Sequence, residues 1–219
     1  SLESLKDTEA LMEKYPFVYG AFGIHPDDAD KMTEETLEEI RKLCKLPKAV
    51  AVGEIGLDYY WHKEEHEHEI QKKMFRAQME IAREAQMPFM IHSREAAKDT
   101  LDIVKDCMKG GMYGGIIHCF LMRRRWRGSI WIWDFIWGIG GVVTFKNAKK
   151  LKEVVEYAPL DQIVLETDSP YLSPEPNRGK RNDSRNLVYV AREIARIKGV
   201  TEDEVIAVTE GNAERLLLR

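Results

Sequence analysis

Cysteine is scarce in this sequence: Cys44, Cys107 and Cys119 are widely spaced and odd in number, which excludes a disulfide framework and a CxxC zinc ribbon. A reducing, cytoplasmic setting is the expectation. Glycine-rich nucleotide fingerprints are also missing. Neither GxGxxG nor GxxxxGK followed by Ser or Thr falls where a strand would meet a helix, which argues against dinucleotide and P-loop sites. No broad excess of positive charge exists, the net charge being -4, so any nucleic acid would be a substrate rather than a scaffold. The opening Ser-Leu-Glu-Ser-Leu-Lys-Asp lacks the apolar core of a secretory signal.

What is present is alternation. The 219 residues, 44% of them hydrophobic, suffice for one sizeable core, and a single domain over 1–219 is expected. Helical spacing is predicted over 4–14, from Thr33 to about Lys45, over 65–86 and over 94–108, with two further helices near the C-terminus. Thr201 and Glu204 match a capping box. Strands are predicted at 17–24, 49–58, 88–91, 115–117 and 138–145. A last one starts at Ile163, where an apolar run ends in Glu166 and Asp168 and is stopped by Pro170. Such alternation favours α/β architecture with a parallel sheet, and a TIM (β/α)8-type barrel over a doubly wound sheet.

Four strands end in a side chain able to bind metal: Glu54, His92, His118 and Asp168. In a barrel the carboxyl ends of the strands share one face. A lone histidine there is ordinarily a hydrogen-bonded structural group, but four such residues at equivalent positions point to a metal centre and to hydrolysis. Imidazole with carboxylate suits Zn, Mn, Fe or Co, and carboxylate suits Mg. His66 and His68, two apart on a helix amid glutamates, read as solvent-facing. His25, before Pro26, lines a pocket or caps a loop. Arg94, and Arg178, Lys180, Arg181 and Arg185 in the loop after Asp168, are candidates to grip phosphates.

Gly23-Ile-His-Pro26, Gly53-Glu-Ile-Gly-Leu-Asp-Tyr59, Ile91-His-Ser-Arg94, Ile117-His-Cys-Phe120 and Glu166-Thr-Asp-Ser-Pro-Tyr171 occur in that order. Together they resemble the TatD family of metal-dependent deoxyribonucleases, within the amidohydrolase-like TIM-barrel superfamily, over nearly the whole chain. The resemblance implies that Glu54, His92, His118 and Asp168 bind two divalent ions (Zn, Mn or Mg). Glu54 would be shared between the ions and Asp168 would also stand near the attacking water, making these two the catalytic carboxylates. His25, Arg94, Arg178 and Arg181 would contact substrate. The implied reaction is hydrolysis of phosphodiester bonds, with DNA as substrate, no membrane association and no stable protein partner. The same metals could instead serve a small-molecule ester, amide or lactone, and a third reading is an inactive truncated product.

Two departures from the family pattern add expectations. The family opens with a strand bearing His-x-His, followed by another βα unit. Neither occurs in these residues, so the expected barrel lacks its first two strands and has open edges. The stretch 121–137 is anomalous, with four of the five tryptophans and the run Arg123-Arg-Arg-Trp-Arg127. Back-translated and read one base earlier, it yields a segment of equal length with helical spacing, so a pair of compensating frameshifts would account for it. If the residues stand as given, a poorly packed tryptophan-rich patch is expected.

Overall fold

A computed structural model describes residues 1–118 and 135–218, and the chain divides into the units Ser1–Ile116 and Ile117–Arg219. In the N-terminal unit helix and strand alternate as α1 (Leu2–Lys14), β1 (Gly20–Phe22), α2 (Glu34–Leu43), β2 (Ala49–Asp58), α3 (Glu65–Glu84), β3 (Phe89–Arg94), α4 (Ala97–Met108) and β4 (Gly115–Ile117), which reaches the division. β1 pairs with β2 and β2 with β3, both parallel. Parallel strands buried on both faces need near-continuous apolar sequence, and Val52, Ile55, Leu57, Phe89 and Ile91 are all inaccessible to solvent. Each such side chain contributes about 1.5–3 kcal/mol by leaving water.

α3 begins with acidic residues and ends near Arg83, as its dipole favours. Its buried stripe of Phe75, Met79 and Ala82 packs on the sheet and also contains two glutamines. Gln71 binds the backbone N–H and C=O of Asp58 at 2.9 and 3.2 Å, and Gln78 binds those of Ile24 at 2.7 and 3.1 Å. Two amides two helical turns apart thus fasten the helix to the ends of β1 and β2, replacing ladder bonds those backbone groups would otherwise lack.

The C-terminal unit holds β5 (Phe135–Ile139), α5 (Lys149–Tyr157), β6 (Ile163–Leu165), α6 (Leu187–Lys198) and α7 (Glu202–Leu217), with β5 and β6 parallel and Trp137 opposite Ile163. Asn212 of α7 donates to the Leu160 and Ile163 carbonyls at 2.9 and 2.8 Å, fixing the start of β6. Thr201 caps α7, the last helix rather than the last but one expected from the sequence, by accepting the Glu204 N–H at 3.1 Å.

The strand expected over 17–24 contracts to Gly20–Phe22, and the helix expected from 94 starts at Ala97, leaving Arg94 on β3. The strand expected over 138–145 lies earlier, at Phe135–Ile139, and Gly141–Thr144 is a 3-10 turn. The backbone turns there beneath a following loop: a Cβ at Gly141 would stand 2.2 Å from the Leu172 carbonyl oxygen. Phe135, Ile136 and Trp137 are core residues, 1%, 5% and 3% exposed, so this end of the anomalous stretch is well packed. The rest of that stretch, 121–134, and the frameshift reading with it lie outside the described residues, as does Cys119. Cys44 and Cys107 are free thiols, and burial pushes the Cys44 thiol up to about 11.

Candidate metal centre

Glu54 enters its site through an irregularity. The β2–β3 register shifts between Gly53 and Ile55, which frees the Glu54 side chain from regular alternation. At Gly56, φ is +142° and a Cβ would stand 2.0 Å from the His92 carbonyl oxygen, so glycine alone permits this approach of the strands. His92 consequently sits between two carboxylates, Nδ1 3.2 Å from Glu54 Oε1 and Nε2 3.0 Å from Asp58 Oδ2. The other Asp58 oxygen accepts the N–H groups of Tyr60 and Trp61 at 2.9 and 3.1 Å. Asp58 is 2% exposed and Glu54 34%, so the fixed acid lies behind the imidazole and the accessible acid in front.

The His25 ring meets the His92 ring edge-on at 4.4 Å, and His25, Glu54 and His92 offer ligand atoms all within 4.8 Å of one another. His25 also caps the 3-10 turn Pro26–Lys31, its Nδ1 accepting the Asp27 N–H at 3.3 Å. Burial, then the positive charge of His92, hold the His25 pKa below its ordinary value. Burial also works against a proton on His92, but hydrogen bonds to Asp58 and Glu54 outweigh it and raise that pKa to about 9. Carboxylates gathered around imidazoles in this way fit a divalent cation, whose charge would take the place of the His92 proton.

A second row occupies the C-terminal unit. His118 follows β4 directly, and Glu166 and Asp168 follow β6. His118 Nδ1 is 2.7 Å from Glu166 Oε2 and its Nε2 is 3.5 Å from Asp168 Oδ1. Glu166 is 14% exposed and Asp168 34%. Glu166 rests in a cleft left by glycines: a Cβ at Gly138 would lie 2.1 Å from its Oε2, and one at Gly140 3.2 Å from its Cγ. Asp168 has φ +58°, a left-handed conformation that aspartate tolerates better than most residues. Asn182 holds the preceding backbone, donating to the Thr167 and Tyr171 carbonyls at 2.7 and 2.8 Å, and itself accepts from Asn186 at 2.8 Å.

The expected ligands therefore meet in pairs, Glu54 with His92 and His118 with Asp168, and His25 joins the first pair. Of the basic candidates, Arg178, Lys180 and Arg181 are exposed, the Arg178 guanidinium lying 4.2 Å from the Phe145 ring centroid. Arg185 is bound at 2.7 Å by Asp183. Arg94 stacks on Tyr60. The solvent-facing reading of His68 is incorrect: its ring stacks on Tyr59 at 3.7 Å and its Nε2 is 2.9 Å from the His62 carbonyl oxygen. His68 shares the face of α3 that carries Gln71 and Phe75, whereas His66 points outward. The sequence alone assigns no role to Asp58 or Glu166. Their only signal was an acid near each proposed ligand at a strand end.

A model of the TatD-related DNase family matches residues 1–218. The uncharacterized metal-dependent hydrolase YabD of Bacillus subtilis is 45% identical over 207 residues, covering 94% of this chain and 80% of that protein. The 3'-5' ssDNA/RNA exonuclease TatD of Citrobacter rodentium is 31% identical, covering 99% of this chain and 83% of its own. Among solved structures, the TatD homologue YjjV of Escherichia coli superposes with a TM-score of 0.90 at 26% identity, over 99% of this chain and 83% of that one. The architecture is thus the expected α/β fold of TIM-barrel type. With the whole-length match and the two carboxylate–imidazole rows, the chain belongs to the TatD-related DNase family and is a metal-dependent hydrolase.

Proposed function

We propose that the protein hydrolyses phosphodiester bonds in DNA, as a single cytoplasmic domain that binds two divalent ions of the Zn, Mn or Mg class. Glu54 and His92, with His25 beside them, and His118 with Asp168 would hold the ions. The observation that carries this reading is the repeated row of buried acid, imidazole and accessible acid. A bound divalent ion supplies charge that polarises a phosphoryl oxygen and lowers the pKa of a water.

The protein's own groups do the rest. Asp58 and Glu166 each hold one imidazole N–H, which directs the other nitrogen forward. Asp168, accessible and turned by its left-handed backbone, takes the proton as the water oxygen bonds to phosphorus and the ester P–O bond breaks, its electron pair leaving on the sugar oxygen, which gains a proton from solvent. Glu54 orients the reacting groups, and Arg94, Arg178 and Arg181 hold phosphates of the strand.

The test is cleavage of an end-labelled single-stranded oligonucleotide by metal-stripped protein, restored with Mn, Mg or Zn, beside a panel of small esters, amides and lactones. Metal-dependent loss of the full-length strand, abolished in Glu54→Gln and Asp168→Asn, is expected. Turnover of a small ester with no cut in any DNA would replace this reading with that of a small-molecule hydrolase.

A further inference from the structure

Past the end of β2, Tyr60 and Trp61 form an edge-on pair with centroids 4.7 Å apart at 84°. The Arg94 guanidinium lies 4.0 Å from the Tyr60 ring centroid and 5.5 Å from that of Trp61. Trp61 is 64% exposed, and among the described residues no ion pair to Arg94 occurs. An exposed indole beside an uncompensated guanidinium is the chemistry of a stacking platform: the ring takes the face of a base and the cation the adjoining phosphate.

Position separates this trio from a chance surface cluster. Arg94 is two residues beyond His92 on β3, so strand alternation directs both side chains to one side. Asp58 pairs with Arg94 in the strand register, and the Tyr59 N–H donates to the Arg94 carbonyl at 2.9 Å. The carboxylate of Asp58 grips both functions at once, one oxygen on His92 Nε2 and the other on the N–H groups of Tyr60 and Trp61. The aromatic turn cannot shift without disturbing the imidazole.

We infer that Trp61, with Tyr60 and Arg94, is a stacking site for an unpaired nucleobase of the DNA strand whose phosphate is cleaved. The inference rests on the nuclease reading and gives it a selectivity, because a base can stack on Trp61 only when it has left a duplex. Arg94 then serves as the platform's cation as well as a phosphate contact.

The experiment measures binding and cleavage separately on the full chain. Fluorescence anisotropy without divalent metal compares an ordinary single strand with an abasic strand of equal length, for the wild type, Trp61→Ala and Trp61→Phe. The wild type should prefer the base-bearing strand by about 10-fold or more, the worth of one stacked base. That ratio should fall toward one in Trp61→Ala and be largely retained in Trp61→Phe. In cleavage, Trp61→Ala should raise KM with little change in kcat. Equal wild-type affinity for both strands, or a preference that Trp61→Ala leaves intact, overturns the platform. If no strand is cut with any metal while the Trp61-dependent preference persists, the nuclease reading fails and the platform stands. Trp61 is exposed enough that its replacement should leave the fold intact, and circular dichroism checks this.

Discussion

The two carboxylate–imidazole rows have the same parts in mirror order. In the N-terminal unit the buried acid, Asp58, holds His92 through Nε2 and leaves Nδ1 facing Glu54. In the C-terminal unit the buried acid, Glu166, holds His118 through Nδ1 and leaves Nε2 facing Asp168. Which nitrogen is left facing the accessible acid is therefore set by the acid behind the ring rather than by the histidine. The supports differ as well. Asp58 is fastened by backbone N–H groups next to it in the chain, whereas Glu166 occupies space that Gly138 and Gly140 leave open.

The strongest way to break the symmetry is to remove one front acid. Glu54→Gln or Asp168→Asn should lower single-turnover cleavage by about 10^3-fold, as expected when a site loses several kcal/mol of charge stabilisation. A fall confined to one of the two would make the rows functionally unequal. Next come the acids behind the rings: Asp58→Asn and Glu166→Gln should each weaken metal binding by about 10–100-fold in calorimetric titration. Nitrogen chemical shifts of labelled histidine should show a tautomer change at His92 alone in the first and at His118 alone in the second. Simultaneous changes at both rings would show that the rows are not independent.

The glycines sharpen the contrast in supports. Gly56→Ala sets a side chain at positive φ against backbone and should cost about 1–3 kcal/mol in urea unfolding. Gly138→Ala meets chiefly the carboxylate end of Glu166, which can move, and only touches the His118 Cα at 3.4 Å. It should cost less stability but still displace the acid and weaken metal binding. The smallest effect belongs to the C-terminal unit. Glu193, paired with Arg196 and Lys152, has its pKa lowered to about 2, chiefly by the Arg196 hydrogen bond and against burial. Because the folded value lies below the unfolded one of 4.5, the stabilisation is complete above that pH and lost as the pH falls toward about 2. With Arg196 largely exposed, it amounts to about 1 kcal/mol, and Glu193→Gln should flatten the acid limb of the stability curve by that much.

Much of this was open to reading. Strand periodicity marks β2 and β3, and the coincidence of metal-capable residues at strand ends identifies Glu54, His92, His118 and Asp168 as candidates from the sequence alone. The displaced β5 was less legible, because an apolar stretch running into glycines does not say where the strand stops. His68 misled for a related reason: neighbouring glutamates describe the average polarity of a segment and not the face on which one ring lies. The clamps of Gln71, Gln78, Asn182 and Asn212 carry no sequence signal of their own, since an amide reads as surface until a backbone group is found opposite it.

The chain's order of residues by itself determined the alternation of helix and strand, the family and the identity of the front acids and imidazoles, all of which are local in the sequence. Only the tertiary structure decided which acid stands behind each ring. That choice depends on a register shift at Glu54, a backbone approach at Gly56 and an empty Cβ position at Gly138, and these are properties of strands brought together in space.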